Sequence, residues 1–319
     1  MKVRRLRVPI LLSLLVLSVT AFFLAVRPGA FEMSAERALL KIGEDCFDKV
    51  GVGLGGKVAE SCMKDEVVTL TTEVGPKLVM DALLTLAVSD ERFRACHELT
   101  HEIAHAGYQS YSPIEVMNAA SMECSAGYLD GAAMAAVEAG SSDKESGDLA
   151  LELCEALSIE RSDMIDTCFH GVGHIIWERS KGDYLAGYER CRGMVRDGWE
   201  HLGRDSVLMR AQCISGVGMS VAELRLKDVR PLSYCDGLSG VEMVECVKFV
   251  ATYDAESEPT ESTLLWCSKH GSDVLNGCAG AVGYRLGAIN KPSEIEECAL
   301  FKVEDVCRRA FNDRFGKTG

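Results

Sequence analysis

Residues 168–174 read Cys-Phe-His-Gly-Val-Gly-His, and closely similar stretches recur further along the chain. Residues 213–218 read Cys-Ile-Ser-Gly-Val-Gly, and residues 278–283 read Cys-Ala-Gly-Ala-Val-Gly. In each stretch a cysteine is followed by small residues, and a second cysteine lies in an apolar pattern upstream of it. Self-similarity of this kind is the sequence signature of a repeat architecture.

The fourteen cysteines of the chain fall into seven such units, each with an upstream and a downstream cysteine. We expect each unit to form one disulfide that joins two helices. The expected pairs are Cys46–Cys62, Cys96–Cys124, Cys154–Cys168, Cys191–Cys213, Cys235–Cys246, Cys267–Cys278 and Cys298–Cys307. An even and high number of cysteines without a Cys-x-x-Cys motif is typical of a disulfide framework in an oxidising compartment. Zinc ribbons and thioredoxin-type redox sites are thereby excluded.

Apolar residues between the cysteines recur at helical spacing, as Val241, Val244 and Val247 illustrate. One helical hairpin cannot bury its apolar face alone, whereas stacked hairpins can. The sequence therefore predicts an all-α fold of disulfide-stapled α/α hairpin repeats, arranged as a solenoid or a compact helical array. Glycines such as Gly171 and Gly216 are expected to permit close helix–helix approach, or alternatively to form a turn before the helix.

Residues 1–27 predict a signal anchor. Four basic residues precede an apolar run from Pro9 to Val26, which is long enough to span a bilayer. No good cleavage site follows, so we expect an uncleaved membrane anchor rather than a removed signal peptide. Residues 28–319 would then form one cysteine-rich helical repeat domain outside the cytoplasm, in a periplasmic or extracellular space.

The chain carries a formal net charge of −14. Such a surface repels phosphate backbones, so we expect no nucleic-acid partner. The membrane is an expected partner through the N-terminal helix, and a protein or peptide partner is compatible with the composition.

Residues 276–284 read Asn-Gly-Cys-Ala-Gly-Ala-Val-Gly-Tyr, and this stretch resembles the cysteine-rich Sel1-like helical repeat proteins. In that family a disulfide staples each helical hairpin, and the second helix often opens with Gly-Cys followed by a later Gly and Tyr. The resemblance concerns architecture, and it implies a solenoid with a binding or scaffolding role.

Five of the seven histidines lie in two short segments, where residues with metal-binding side chains recur every fourth position. The first stripe is His97, His101 and His105, and the second stripe is His170, His174 and Glu178. On a helix these positions share one face, and a pair of histidines one turn apart can bind one metal ion. Three such positions span about 12 Å, which is too long for one ion. We therefore expect a divalent metal site made of one pair from the first stripe and ligands from elsewhere.

Two sources for those further ligands stay open. The second stripe offers His170 and His174. Glu123 is another source, because the expected disulfide of its neighbour Cys124 would bring it close to His97. Imidazole and carboxylate ligands favour zinc, and haem held between facing histidines is not excluded.

The repeat itself does not require these histidines. The second and sixth residues after the downstream cysteine are His170 and His174 in one unit, but Ser215 and Met219 in the next. Functional side chains are often added to a scaffold in this way. The alternative is that the histidines satisfy buried backbone groups or lie on a solvated face and bind no metal.

The first stripe also contains His-Glu-Ile-Ala-His at residues 101–105, and the overlapping residues 97–101 match H-E-x-x-H as well. The motif resembles the active-site helix of zincin metallopeptidases. The resemblance implies that His101 and His105 bind zinc, that Glu102 activates a water molecule, and that Glu123 is the third ligand. Three functions are therefore open: a metal-binding repeat scaffold, which we favour, a zinc hydrolase of H-E-x-x-H type, and a metal-free interaction module.

Overall fold

A computed structural model describes residues 28–50, 56–90, 93, 96–157, 161, 164–194, 206–224, 230–257, 260–288, 292–300 and 302–318. Every regular element in these ranges is a helix, which confirms the all-α prediction there. The α-helices are α1 (Pro28–Val50), α2 (Gly56–Val74), α3 (Pro76–Ser89), α4 (His97–Ser110), α5 (Pro113–Asn118), α6 (Gly127–Ala139), α7 (Asp143–Glu155), α8 (Ile165–Arg179), α9 (Tyr184–Met194), α10 (Ser206–Leu224), α11 (Gly240–Ser257), α12 (Thr260–Ser268), α13 (Ser272–Ala288) and α14 (Glu304–Thr318). Short 3-10 helices span Cys124–Ala126, Pro231–Cys235 and Pro292–Leu300.

All fourteen cysteines pair as the sequence predicts, into the seven local disulfides named above. Their Cα–Cα distances run from 5.3 to 6.4 Å, within the range that disulfide geometry allows. Seven disulfides in one chain indicate an oxidising, extracytoplasmic environment. The predicted signal anchor at residues 1–27 lies outside the described residues. Among the residues that are described, no helix is both long and apolar enough to cross a bilayer.

Seven of the described helices pack in one row, and two others pack against that row. Helices α4, α6, α8, α10, α11, α13 and α14 contact one another in chain order, and we call this row the inner layer. Helices α7 and α9 contact each other and pack against the inner layer from one side. Each of the disulfides Cys154–Cys168 and Cys191–Cys213 ties one of these outer helices to the inner helix that follows it.

The second cysteine unit departs from the simple hairpin pattern. Cys96 directly precedes α4, and Cys124 lies in the 3-10 helix that directly precedes α6. Their disulfide therefore joins the starts of two inner-layer helices instead of joining an outer helix to an inner one. As a result α4 and α6 start at the same level and run in the same direction.

Glycines set the distance between the inner helices. A Cβ atom at Gly131 of α6 would lie 2.6 Å from the Cα atom of His101, and one at Gly216 of α10 would lie 2.0 Å from the carbonyl oxygen of His170. Only a residue without a Cβ permits backbones to touch in this way. Gly171 and Gly216 lie inside helices α8 and α10, so close helix packing, and not a turn, explains them.

Helix α6 is buried on nearly all sides, because α4, α8 and α7 surround it. Its side chains are accordingly small, with alanine at positions such as Ala132, Ala133 and Ala136. The helix carries two acidic side chains: Glu138 is exposed, whereas Asp130 is only 6% exposed. A buried carboxyl group in apolar surroundings is unfavourable unless a hydrogen bond, an opposite charge or a metal ion compensates for its burial.

Candidate metal centre

Three potential metal ligands meet where α4 and α6 pack together. His97 and His101 lie one turn apart on α4, with their ring centroids 4.6 Å apart. Asp130 faces them from α6, and the ligand atoms of the three side chains all lie within 4.8 Å of one another. These distances allow one metal ion to contact all three residues after small adjustments, because metal–nitrogen and metal–oxygen bonds are about 2.0–2.2 Å long.

A backbone hydrogen bond fixes the tautomer of His97. Its Nδ1 donates to the carbonyl oxygen of Cys124 at 3.0 Å. A carbonyl oxygen only accepts, so Nδ1 carries the proton and Nε2 keeps the lone pair that a metal requires. The Cys96–Cys124 disulfide holds this carbonyl at the start of α4. The disulfide therefore orients a histidine through a backbone group.

Two atoms of this cluster are buried without any hydrogen-bond partner among the described residues: His101 Nε2 and Asp130 Oδ1. An unsatisfied buried polar group costs about 1–3 kcal/mol. Burial, together with the charge of His97, lowers the pKa of His101 to about 3, so its imidazole is neutral. Burial raises the pKa of Asp130 to about 8. A bound cation would satisfy both atoms and restore the carboxylate.

The second stripe lies on α8, on the other side of α6. The rings of His170 and His174 have centroids 4.9 Å apart. His170 Nδ1 lies 2.8 Å from Ser215 Oγ, and that hydroxyl donates its only proton to the carbonyl oxygen of Gln212 at 2.7 Å. His170 Nδ1 is therefore the donor of the pair, and its Nε2 carries the lone pair. His174 Nδ1 lies 2.6 Å from Ser220 Oγ.

The pKa values of both histidines of the second stripe are lowered. Burial lowers the pKa of His174 well below its ordinary value, and the neighbouring His170, His101 and His97 lower it further. In contrast, burial is the cause that lowers the pKa of His170, to about 3. The ligand atoms of His170 and His174 lie outside the group that unites His97, His101 and Asp130.

The third histidine of the first stripe has other partners. His105 Nε2 donates to Glu138 Oε2 at 2.7 Å, and His105 Nδ1 accepts from the side-chain amide of Gln109 at 3.3 Å. Glu102, the water-activating residue implied by the zincin resemblance, forms an ion pair with Lys64. The structure therefore groups His101 with His97 and Asp130, whereas both ring nitrogens of His105 are occupied by hydrogen bonds.

The two glutamates expected as ligands lie at the surface. Glu123 is exposed and precedes the 3-10 helix, where its backbone amide is bonded to Ser121 Oγ at 3.1 Å. Glu178 is exposed near the end of α8. Neither residue belongs to the group that unites His97, His101 and Asp130.

Asp130 is the ligand that the sequence reasoning missed, and a signal for it exists in the repeat. It is the sixth residue after Cys124, as His174 is the sixth residue after Cys168. These equivalent positions lie on α6 and α8, which are neighbours in the inner layer. A side chain with metal-binding capacity at the same offset in consecutive units was the available clue.

No family model, no curated protein and no solved structure matches this chain. The resemblances to Sel1-like repeats and to zincins therefore stay predictions, and the chemistry of the site rests on its own geometry.

Proposed function

We propose that this chain is a membrane-tethered, extracytoplasmic helical repeat protein that binds a divalent transition metal, preferentially zinc, through His97, His101 and Asp130. One observation carries the proposal: the ligand atoms of these three residues lie within 4.8 Å of one another, and two of the residues contribute a buried atom with no other described partner. The tether would be the apolar segment within residues 1–27.

The donor set supports zinc over other common metals. Two imidazoles and one carboxylate match the ligands of zinc sites, whereas magnesium and calcium prefer oxygen donors alone. Thiolate ligands, which would favour copper(I) or iron–sulfur clusters, are absent because every cysteine is in a disulfide. Neutral imidazoles with available lone pairs are the form that binds metal.

Metal analysis of purified protein tests the proposal. The full chain would be produced in an oxidising compartment without a polyhistidine tag, and its metal content measured after incubation with zinc. We expect about one equivalent of zinc in the wild type and in His105→Ala, and none in His101→Ala or Asp130→Asn. His105→Ala is the matched control because it removes an imidazole from the same helix face. Zinc retained in both ligand variants, or absent from the wild type, would refute the site.

A second candidate function, zinc-dependent hydrolysis, is favoured by one specific feature. The clustered pair His97 and His101 is itself the histidine pair of an H-E-x-x-H sequence, and Asp130 would be the third ligand. In this frame the water-activating residue is the exposed Glu98, and Glu102 is its matched control. Hydrolysis of a peptide library that is lost in Glu98→Gln, with zinc retained, would support this function. A protein that binds no zinc and shows no haem absorption would instead be a metal-free interaction module.

A further inference from the structure

We propose that His174 supplies a fourth protein ligand to the metal ion, and that His97, His101, Asp130 and His174 together close its coordination sphere. This inference rests on the proposed metal site and goes beyond it. A zinc ion with four protein ligands has no open position for a substrate or a reactive water. The bound metal would therefore be held for storage, sensing or stabilisation of the domain, and would not carry out hydrolysis.

The packing of α8 on α6 places His174 on the face of α8 that is turned toward Asp130. A Cβ atom at Gly171 of α8 would lie 2.6 Å from Asp130 Cα and 3.0 Å from Asp130 Oδ1. His174 follows Gly171 by three residues, so it lies one helical turn further along the same face. Asp130 is in turn adjacent to Gly131, the residue in contact with the backbone of His101. Asp130 thus lies between the first stripe and His174.

The nitrogen chemistry of His174 suits this role. Ser220 Oγ lies 2.6 Å from its Nδ1, so Nε2 is the ring nitrogen that this hydrogen bond does not engage. His174 is only partly buried. His174 lies outside the group whose ligand atoms are all within 4.8 Å of one another, so binding of the ion would have to draw its ring toward that group.

The ring of His170 is held by other contacts. The residue is 4% exposed, its Nδ1 is bonded to Ser215, and its ring stacks on Phe249 with centroids 4.0 Å apart. These contacts fix the ring of His170 in place, and its edge packs against the ring of His174.

Glycine contacts hold together the three helices that carry the proposed ligands. Asp130 and His174 occupy the same position in consecutive units, and α4, α6 and α8 are consecutive members of the inner layer. Each neighbouring pair of helices is held in close contact by a glycine, Gly131 against α4 and Gly171 against α6. These contacts set Asp130 level with Gly171 of α8, and His174 lies one helical turn beyond that level.

Cobalt(II) in place of zinc reports the number of protein ligands. Cobalt in a tetrahedral site absorbs visible light strongly, and the bands shift and weaken when water replaces an imidazole. For the full chain we expect strong bands, and we expect His174→Ala and His174→Gln to lower cobalt affinity by roughly 100-fold or more, beyond the 10–100-fold typical of residues behind the ligands. Added imidazole should restore the bands in His174→Ala. His105→Ala is the matched control and should bind cobalt like the wild type.

Each outcome separates the two proposals. If the wild type binds no cobalt, the metal site itself is refuted. If the wild type binds cobalt and both His174 variants keep its affinity and spectrum, the metal site stands and the fourth ligand is refuted. Should both variants fail to fold, as judged by circular dichroism, X-ray absorption of the cobalt-loaded wild type decides without any substitution. Three imidazoles at the metal would support the inference, and two would overturn it.

Discussion

Replacing Asp130 by asparagine should abolish metal binding and at the same time make the metal-free protein more stable at neutral pH. The carboxyl group is buried, and burial raises its pKa from 3.8 to about 8. At pH 7 the folded metal-free protein must therefore keep a proton that the unfolded chain releases. Each pH unit above the unfolded pKa adds about 1.4 kcal/mol, so the penalty at pH 7 is on the order of 4 kcal/mol.

The sign of the pH dependence follows from the raised pKa. The penalty is absent below the unfolded pKa of 3.8, grows as the pH rises, and levels off above the folded pKa of about 8. Lowering the pH from 7 to 5 should thus stabilise the metal-free wild type by about 3 kcal/mol through this group. Asparagine does not titrate, but its amide is still buried without a charged partner. We therefore expect a net gain of about 2 kcal/mol at pH 7, or roughly 4–8 °C in Tm.

Thermal unfolding followed by circular dichroism, in the presence of a chelator at pH 5, 6 and 7, measures both effects. The wild type should become more stable toward pH 5, and the Asp130→Asn variant should show a smaller change over this range. The reasoning fails if the metal-free variant is no more stable than the wild type at pH 7, or if the two proteins have the same pH slope. Either result would mean that Asp130 is stabilised as a carboxylate without metal.

Three further predictions concern the packing and assembly of the site. Gly171→Ala should destabilise the protein by about 2–4 kcal/mol in chemical denaturation and weaken zinc binding, because its Cβ would meet the backbone of Asp130. The control is Gly193→Ala, whose Cβ would have no atom within 4 Å, and it should lower neither stability nor zinc affinity. Zinc binding at pH 7 should release about one proton from Asp130, measurable by calorimetry in buffers of different ionisation enthalpy, and no release would contradict the raised pKa. Removing the Cys96–Cys124 disulfide by two serine substitutions should lower the free energy of unfolding by about 3–4 kcal/mol and reduce zinc affinity. Removing Cys298–Cys307 in the same way should leave zinc affinity unchanged. Equal zinc affinities in the two variants would show that the Cys124 carbonyl does not orient His97.

The cysteine pattern was sufficient to predict the helical architecture and every disulfide, because each pair is local in sequence and each helix carries its own apolar spacing. The clustering of His97 and His101 was also predictable, since residues one turn apart on a helix share a face. The third ligand, Asp130, was not predictable from the sequence. Asp130 is the one buried acid of an alanine-rich helix, and its burial depends on three other helices packing around it.

The hydrogen bond between His105 and Glu138 could not be predicted from the sequence, for a similar reason. Its position on the stripe is the same in the sequence as that of a ligand. Only the register of α4 against α6 brings Glu138 within 2.7 Å of its Nε2. Register between neighbouring helices is set by contacts such as Gly131 with the backbone of His101, and these contacts carry no periodic signal in the sequence.

The disulfide that joins the starts of α4 and α6 has a consequence for the biogenesis of the protein. His97, His101 and Asp130 all follow Cys96 within a short stretch of chain, and the Cys96–Cys124 bond holds the carbonyl that orients His97. Formation of that bond requires an oxidising compartment. The metal-binding arrangement would therefore be completed only after translocation, and the ion would come from the extracytoplasmic pool and not from the zinc supply of the cytoplasm.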